Sequence, residues 1–261
     1  MRAMTDFKAD PTRMGASTGF DSKIWEDTVN VIKEGGIGQE DVIENFMLFL
    51  RRVNFGKFLS HVQIFNEVMD IPGHIVECGV FKGMSLLTFV KLIEVLCPAD
   101  SLKRVIGFDT FEGFVNLAEK DGLPNEKRGK VVGGWNSSDF LPTLQKLVEI
   151  TQRDSMVPRV KRVELVKGDA SVSIPEYVKT NPGIRISLLH LDMDLYDPTL
   201  AALRHLYPLV SPGGIVLLDE YGMDGFPGES AAFDDYFGAN RPQLKKFPFT
   251  STPGGYFRKL G

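Results

Sequence analysis

The chain has 261 residues, 43% hydrophobic and 25% charged, and its 30 basic against 34 acidic side chains leave a formal charge of −4. That is enough chain for one large or two small domains with a full core, and the composition excludes disordered, collagen-like and low-complexity architectures. The small net charge supplies no global field toward nucleic acid or an anionic membrane, so neither is expected as a partner.

Residues 1–35 are polar and rich in turn formers, and read as an arm with one short helix near Trp25 to Lys33. From Gln39 to Met69, Val42, Ile43, Phe46, Met47 and Leu50, then Phe58, Leu59, Val62 and Phe65, recur at intervals of three and four, which predicts two helices. Residues 1–70 are therefore taken as an N-terminal arm and helices forming a cap or a dimer face, a face that would make the protein a homo-oligomer. Residues 71–261 are taken as the main domain. There the pattern changes to alternating strands and helices. A strand over His74 to Cys78 runs into Gly79-Val80-Phe81-Lys82-Gly83 and a helix from Ser85 to Leu96. A second strand, Arg104 to Phe108, is followed by a Gly-, Asn- and Lys-rich excursion over 112–138 and a helix from Phe140 to Thr151. The third strand is Val163 to Lys167 with a short helix through Tyr177, and the fourth is Ile186 to Leu191 with a helix from Pro198 to Leu206. The fifth is Ile215 to Leu218. Leu244 to Thr250 and Tyr256 to Leu260, joined by Pro253-Gly254-Gly255, read as an antiparallel hairpin at the sheet edge. The expectation is a doubly wound, mostly parallel, seven-stranded α/β sheet with an N-terminal helical cap.

Carboxylates recur at the carboxyl ends of these strands: Glu77, Asp109, Asp169, Asp192 with Asp194, and Asp219 with Glu220. Open α/β sheets bind ligands at that edge, whereas each residue taken alone also fits a helix cap or loop turn. The glycine turn lacks the GxGxxG dinucleotide pattern and the phosphate-loop lysine motif. A strand ending in an acidic residue and then Gly-x-x-x-Gly resembles the first motif of class I S-adenosylmethionine-dependent methyltransferases. In that setting Glu77, Gly79, Val80, Gly83 and Ser85 line the cofactor turn, whose helix N-terminus offers free N–H groups. Asp109 and Thr110 after the second strand are placed for the ribose hydroxyls, and Asp169 and Ala170 after the third for the adenine edge.

The segments IVECGVFKGMS, IGFDTFEGF, Gly134-Trp135, GDA, LLHLDMDLYDPT and LLDEY occur in an order and spacing that resemble the macrocin O-methyltransferase family over about residues 40–240. The resemblance implies a methyltransferase that uses S-adenosylmethionine and a divalent metal to methylate sugar hydroxyls in natural-product biosynthesis. The family's LDGDLYEST carries Met193, Asp197 and Pro198 here, and its frequent Asp-Asp after strand five is Asp219-Glu220.

With strands four and five adjacent, Asp192, Asp219 and Glu220 converge as three hard oxygen donors suited to Mg²⁺, with Asp192 also bordering the cofactor. The ion would chelate two neighbouring acceptor oxygens, and Asp194, two residues on from Asp192, is the candidate general base. Acceptors compatible with this chemistry are a sugar hydroxyl or a catechol-like vicinal diol; a non-catalytic nucleotide-binding module would have no need of the acidic cluster. His190 lies in an apolar strand and reads as a core histidine, and His61, His74 and His205 as structural. Phe111 to Phe114 and Trp135 are expected in a lid, Asp121 to Lys130 as a solvated charge run, and Tyr221 to Glu229 as a mobile stretch beside the metal edge. Cys78 and Cys97 fit neither a disulfide framework nor a zinc site, MRAMTDFKAD has no apolar signal region, and no apolar run approaches the ~18 residues of a membrane span, so a cytoplasmic location is expected.

Overall fold

The computed structural model describes residues 19–157 and 159–261. Of the arm expected over residues 1–35, residues 1–18 lie outside them, and the rest is mostly helix. The N-terminal part comprises α1 (Gly19–Glu34), α2 (Gln39–Glu44), α3 (Phe46–Phe49) and α4 (Arg52–Val68). There follow β1 (His74–Cys78), α5 (Met84–Leu96), β2 (Val105–Asp109), α6 (Leu141–Arg153), β3 (Val163–Lys167) and α7 (Ala170–Thr180). The chain ends with β4 (Ile186–Leu191), α8 (Tyr196–Leu206), β5 (Val210–Leu218), α9 (Gly228–Phe237) and β6 (Gly255–Arg258).

The six strands lie in the order β3-β2-β1-β4-β5-β6. The first five are parallel, and β6 pairs antiparallel with β5. Because side chains alternate along a strand, each apolar run feeds both faces. Ile75, Leu188, Ile215 and Leu217 pack with Ile64 and Phe65 of α4, Leu86 and Phe89 of α5 and Leu144 of α6. Val76, Ile106, Leu189 and Val216 pack on the other face with Ile174 of α7, Leu203 of α8 and Phe233 of α9. Helix α4 is therefore part of the layer that covers the sheet. Strand order reverses between β1 and β4, and such a reversal opens the crevice in which doubly wound sheets bind ligands.

Three expectations are corrected. The seventh strand is absent among the described residues: Leu244 to Thr250 contributes only a bridge from Lys245 to Tyr256. Pro248 has no N–H for a ladder, and Phe247 instead buries itself against the Tyr256 ring, 4.9 Å between centroids. The Asp121 to Lys130 run is not uniformly solvated, since its two end residues are buried. The Asp121 carboxylate accepts from the Ala118 and Tyr196 amides, and the Lys130 ammonium donates to the Asp121 and Gly225 carbonyls. That last bond ties the excursion to the Tyr221 to Glu229 stretch. The stretch is held further by Gly222 N–H donating to Ser230 Oγ, and its end opens α9, a helix that the Gly- and Pro-rich sequence had concealed.

Candidate active site

Leu191 of β4 pairs with Leu218 of β5, so Asp192 and Asp219 leave the sheet at the same level. The Asp192 amide donates to the Cys78 carbonyl at 2.8 Å, and the Asp219 amide to the Leu191 carbonyl at 3.0 Å. Both carboxylates meet Lys57, which α4 carries over the strand ends. Its Nζ lies 3.0 Å from Asp192 Oδ2 and 2.8 Å from Asp219 Oδ2. His190, pointing from β4 into the same face, has Nε2 3.4 Å from Asp219 Oδ1 and 3.8 Å from Asp192 Oδ2, and Nδ1 3.5 Å from Glu77 Oε1. Burial opposes a charge on His190, but hydrogen bonds to Asp219 and Glu77 and the Asp192 charge raise its pKa to about 10. Burial also opposes the charge on Lys57; Asp192, Asp219 and Glu220 outweigh it and hold its pKa well above the ordinary lysine value. The same contacts overcome the effect of burial on Asp219 and hold its carboxyl below the usual range.

Asp192, Asp194 and Glu220 each offer a carboxylate oxygen within 4.8 Å of the others. Asp194 sits in a left-handed conformation, φ +63°, a strained choice that turns its carboxyl back toward Asp192 and Glu220. Burial, reinforced by the Asp192 charge, raises the Asp194 pKa to about 7. Glu220 and Glu229 are raised well above normal by burial and by the neighbouring carboxylates. Glu229, near the start of α9, accepts from the Glu220 amide at 2.9 Å. Oε2 of Glu77, Glu220 and Glu229 is buried without a hydrogen-bond partner in each case.

The glycine turn abuts this cluster directly. Gly79 has φ +96°, and a Cβ there would lie 1.7 Å from the Asp192 carbonyl oxygen, so the two chain segments touch backbone to backbone. Gly83 caps α5 with φ +81°. Ser85 Oγ donates to buried Glu77 Oε1, fixing that side chain at the end of β1. The Val80 and Phe81 amides donate to Asp109 Oδ2 at 2.8 and 2.7 Å, and the Phe111 amide to Asp109 Oδ1 at 2.6 Å. Asp109 thus braces the glycine turn against β2. The Thr110 hydroxyl donates to the Gly113 carbonyl. Asp169 caps α7 by accepting from the Ser171 amide, and Ala170 is buried behind it. Asp169→Ala is expected to cost about 1 kcal/mol through the lost cap, a fall in Tm of roughly 2–4 °C. A simultaneous loss of affinity for S-adenosylhomocysteine, measured by calorimetry, would add an adenine contact to the cap.

Trp135 folds over the turn, its ring 5.3 Å from that of Phe81 and nearly perpendicular. Phe81, Phe111 and Trp135 all have positive φ, as Asp194 does, so four of the five described non-glycine residues in this conformation belong to the loops that follow β1, β2 and β4, the fifth being Arg159 before β3. Trp135 Nε1 is buried without a partner.

A family model described as macrocin O-methyltransferase (TylF) matches residues 53–245. The chain belongs to this family. It is 30% identical over 159 residues to the 8-demethyl-8-(2,3-dimethoxy-α-L-rhamnosyl)-tetracenomycin-C 4′-O-methyltransferase of Streptomyces olivaceus, covering 59% of this chain and 55% of that protein. It is 26% identical over 152 residues to the mycinamicin III 3″-O-methyltransferase of Micromonospora griseorubida, covering 58% and 56%. The matched stretch spans little more than half of these curated relatives. The solved structure of the calicheamicin methyltransferase CalS11 superposes with TM-score 0.85 at 28% identity, covering 97% of this chain and 98% of that one. An apo form, described as a TDP-rhamnose 3′-O-methyltransferase, superposes with TM-score 0.77 at 28% identity over 94% and 97%. The macrocin O-methyltransferase family thus brings with it the class I methyltransferase fold.

Sequence reasoning missed three members of this site. Lys57 lies 135 positions before Asp192, on a helix whose sequence shows only apolar periodicity, so no local signal marks it. His190 is no ordinary core histidine, since its neighbours are carboxylates. Glu229 carried no signal, because its helix was not foreseen.

Proposed function

We propose that this protein transfers the methyl group of S-adenosylmethionine to a hydroxyl of a sugar, nucleotide-linked or carried on a natural product. The observation that carries this reading is the carboxylate cluster of β4 and β5 pressed against the Gly79 turn, in a chain of the macrocin O-methyltransferase family. Gly79 lets the cofactor turn close against the Asp192 backbone, Glu77, Val80, Gly83 and Ser85 shape the turn, and Asp109 holds it at the ribose position with Thr110 beside it. Asp169 and Ala170 face the adenine position, and Asp192 borders the sulfonium.

The donor set suits a divalent ion: all ligands are carboxylate oxygens, and Glu220 Oε2 is buried without a partner. Asp192, Asp219 and Glu220 would hold Mg²⁺, which supplies orientation of two neighbouring acceptor oxygens and stabilisation of developing negative charge. Asp194 takes the proton of the attacking hydroxyl. The oxygen forms its bond to the methyl carbon as the carbon–sulfur bond breaks, and the electron pair remains on sulfur. Trp135 and Phe81 close the crevice against water. With neither cysteine in a disulfide, we place the protein in the cytoplasm, and among the described residues no helix is long and apolar enough to cross a membrane.

The test is a methyl-transfer assay with S-adenosylmethionine over a panel of sugar nucleotides, glycosylated natural products and vicinal diols, with and without EDTA. Turnover of a sugar that is lost on chelation and restored by Mg²⁺ is expected. Turnover of the diols alone would move the acceptor class, and full activity after thorough chelation would remove the metal.

A further inference from the structure

Two carboxylates from neighbouring strands, Asp192 and Asp219, converge on a single nitrogen, the Lys57 ammonium, at 3.0 and 2.8 Å. That is the arrangement an oxygen-ligated metal ion asks of the same two side chains. Around it stand Glu77, Asp192, Asp194, Asp219, Glu220 and Glu229, with the His190 ring against Glu77, Asp192 and Asp219. Three of those carboxyl groups leave a buried oxygen without a partner. One ammonium bridging Asp192 and Asp219 leaves those buried oxygens unmet, and an oxygen-ligated divalent ion at the same point takes more donors than an ammonium does. The lysine can yield, because its charge rides on a flexible four-carbon stem, and 19% of its side chain is open to solvent.

We propose that Lys57 is the resident counter-ion of the carboxylate site, bridging Asp192 and Asp219 in the metal-free protein and exchanging with the divalent ion, which takes those oxygens as the ammonium turns outward. Lys57 is then a positioning residue. It keeps Asp192 and Asp219 at bridging separation, where their repulsion would otherwise spread them, and it sets the threshold concentration at which a metal enters. The inference rests on the metal reading given above.

The test compares wild-type protein with Lys57→Met, using Mn²⁺ as the probe, followed by electron paramagnetic resonance and calorimetry. Lys57→Met is expected to bind Mn²⁺ at least tenfold more tightly. Without metal the variant should melt below the wild type, and saturating Mn²⁺ should close the gap. In wild-type protein, reductive methylation of Lys57, read by peptide mass spectrometry, should accelerate when Mn²⁺ is bound. Equal or weaker Mn²⁺ binding by a folded Lys57→Met overturns the inference, as does methylation of Lys57 that Mn²⁺ leaves unchanged or slows. If the variant does not fold, the methylation experiment on the wild type decides alone. Absence of Mn²⁺ binding to both proteins, with S-adenosylhomocysteine binding intact, would instead remove the metal reading and this inference with it.

Discussion

Asp194→Asn is expected to lower kcat for methyl transfer by about 10²–10⁴-fold, the usual contribution of a positioned general base. S-adenosylhomocysteine affinity should stay unchanged. The substitution is nearly isosteric, and asparagine tolerates the left-handed backbone that Asp194 adopts, so the experiment removes the carboxylate and little else. It also separates two roles that the geometry allows. Asp194 shares a 4.8 Å cluster with Asp192 and Glu220. A loss of kcat with Mn²⁺ binding kept within about threefold identifies the base, the loss being a barrier increase of roughly 3–5 kcal/mol. A parallel loss of Mn²⁺ affinity would make Asp194 a ligand, and turnover within a factor of about three would end its assignment as base.

Gly79→Ala is expected to abolish measurable methyl transfer and weaken S-adenosylhomocysteine binding at least tenfold. The new Cβ would stand 1.7 Å from the Asp192 carbonyl oxygen, at a φ of +96° that side-chain-bearing residues avoid. Neither atom is the end of a flexible side chain. Relief requires β1 and β4 to part at the point where the glycine turn meets the acidic cluster. The combined strain is on the order of 3 kcal/mol, a fall in Tm of roughly 6–12 °C. Calorimetry with S-adenosylhomocysteine checks the binding loss, and a thermal melt checks the stability loss. A variant that melts and binds like the wild type would show that the two segments separate at no cost, and would sever the proposed link between turn and cluster.

The alternation of short apolar runs with helical spacing was legible because a parallel strand buried on both faces must be apolar throughout, as β4 is from Ile186 to Leu191. The tail misled for a related reason. Leu244 to Thr250 has strand-like composition, but Phe247 found a better place in the core than in a ladder, and composition does not distinguish the two. The acidic rim could be read from strand ends alone, since every strand of the parallel sheet delivers its following residue to the same edge.

By itself the sequence determined the layered α/β fold, the glycine turn and the carboxylates at the strand ends, because these depend on local periodicity and on the residue that follows each strand. The tertiary structure decided their partners. It brought Lys57 from α4 over Asp192 and Asp219, set His190 among three carboxylates, turned Asp109 to brace the glycine turn, and placed Glu229 behind Glu220. Apart from His190 with Asp192 and Glu229 with Glu220, those contacts join residues between 29 and 162 positions apart, and no local pattern encodes which helix will lie across which strand end. That is settled by how the buried apolar faces of α4 and α9 pack against the sheet.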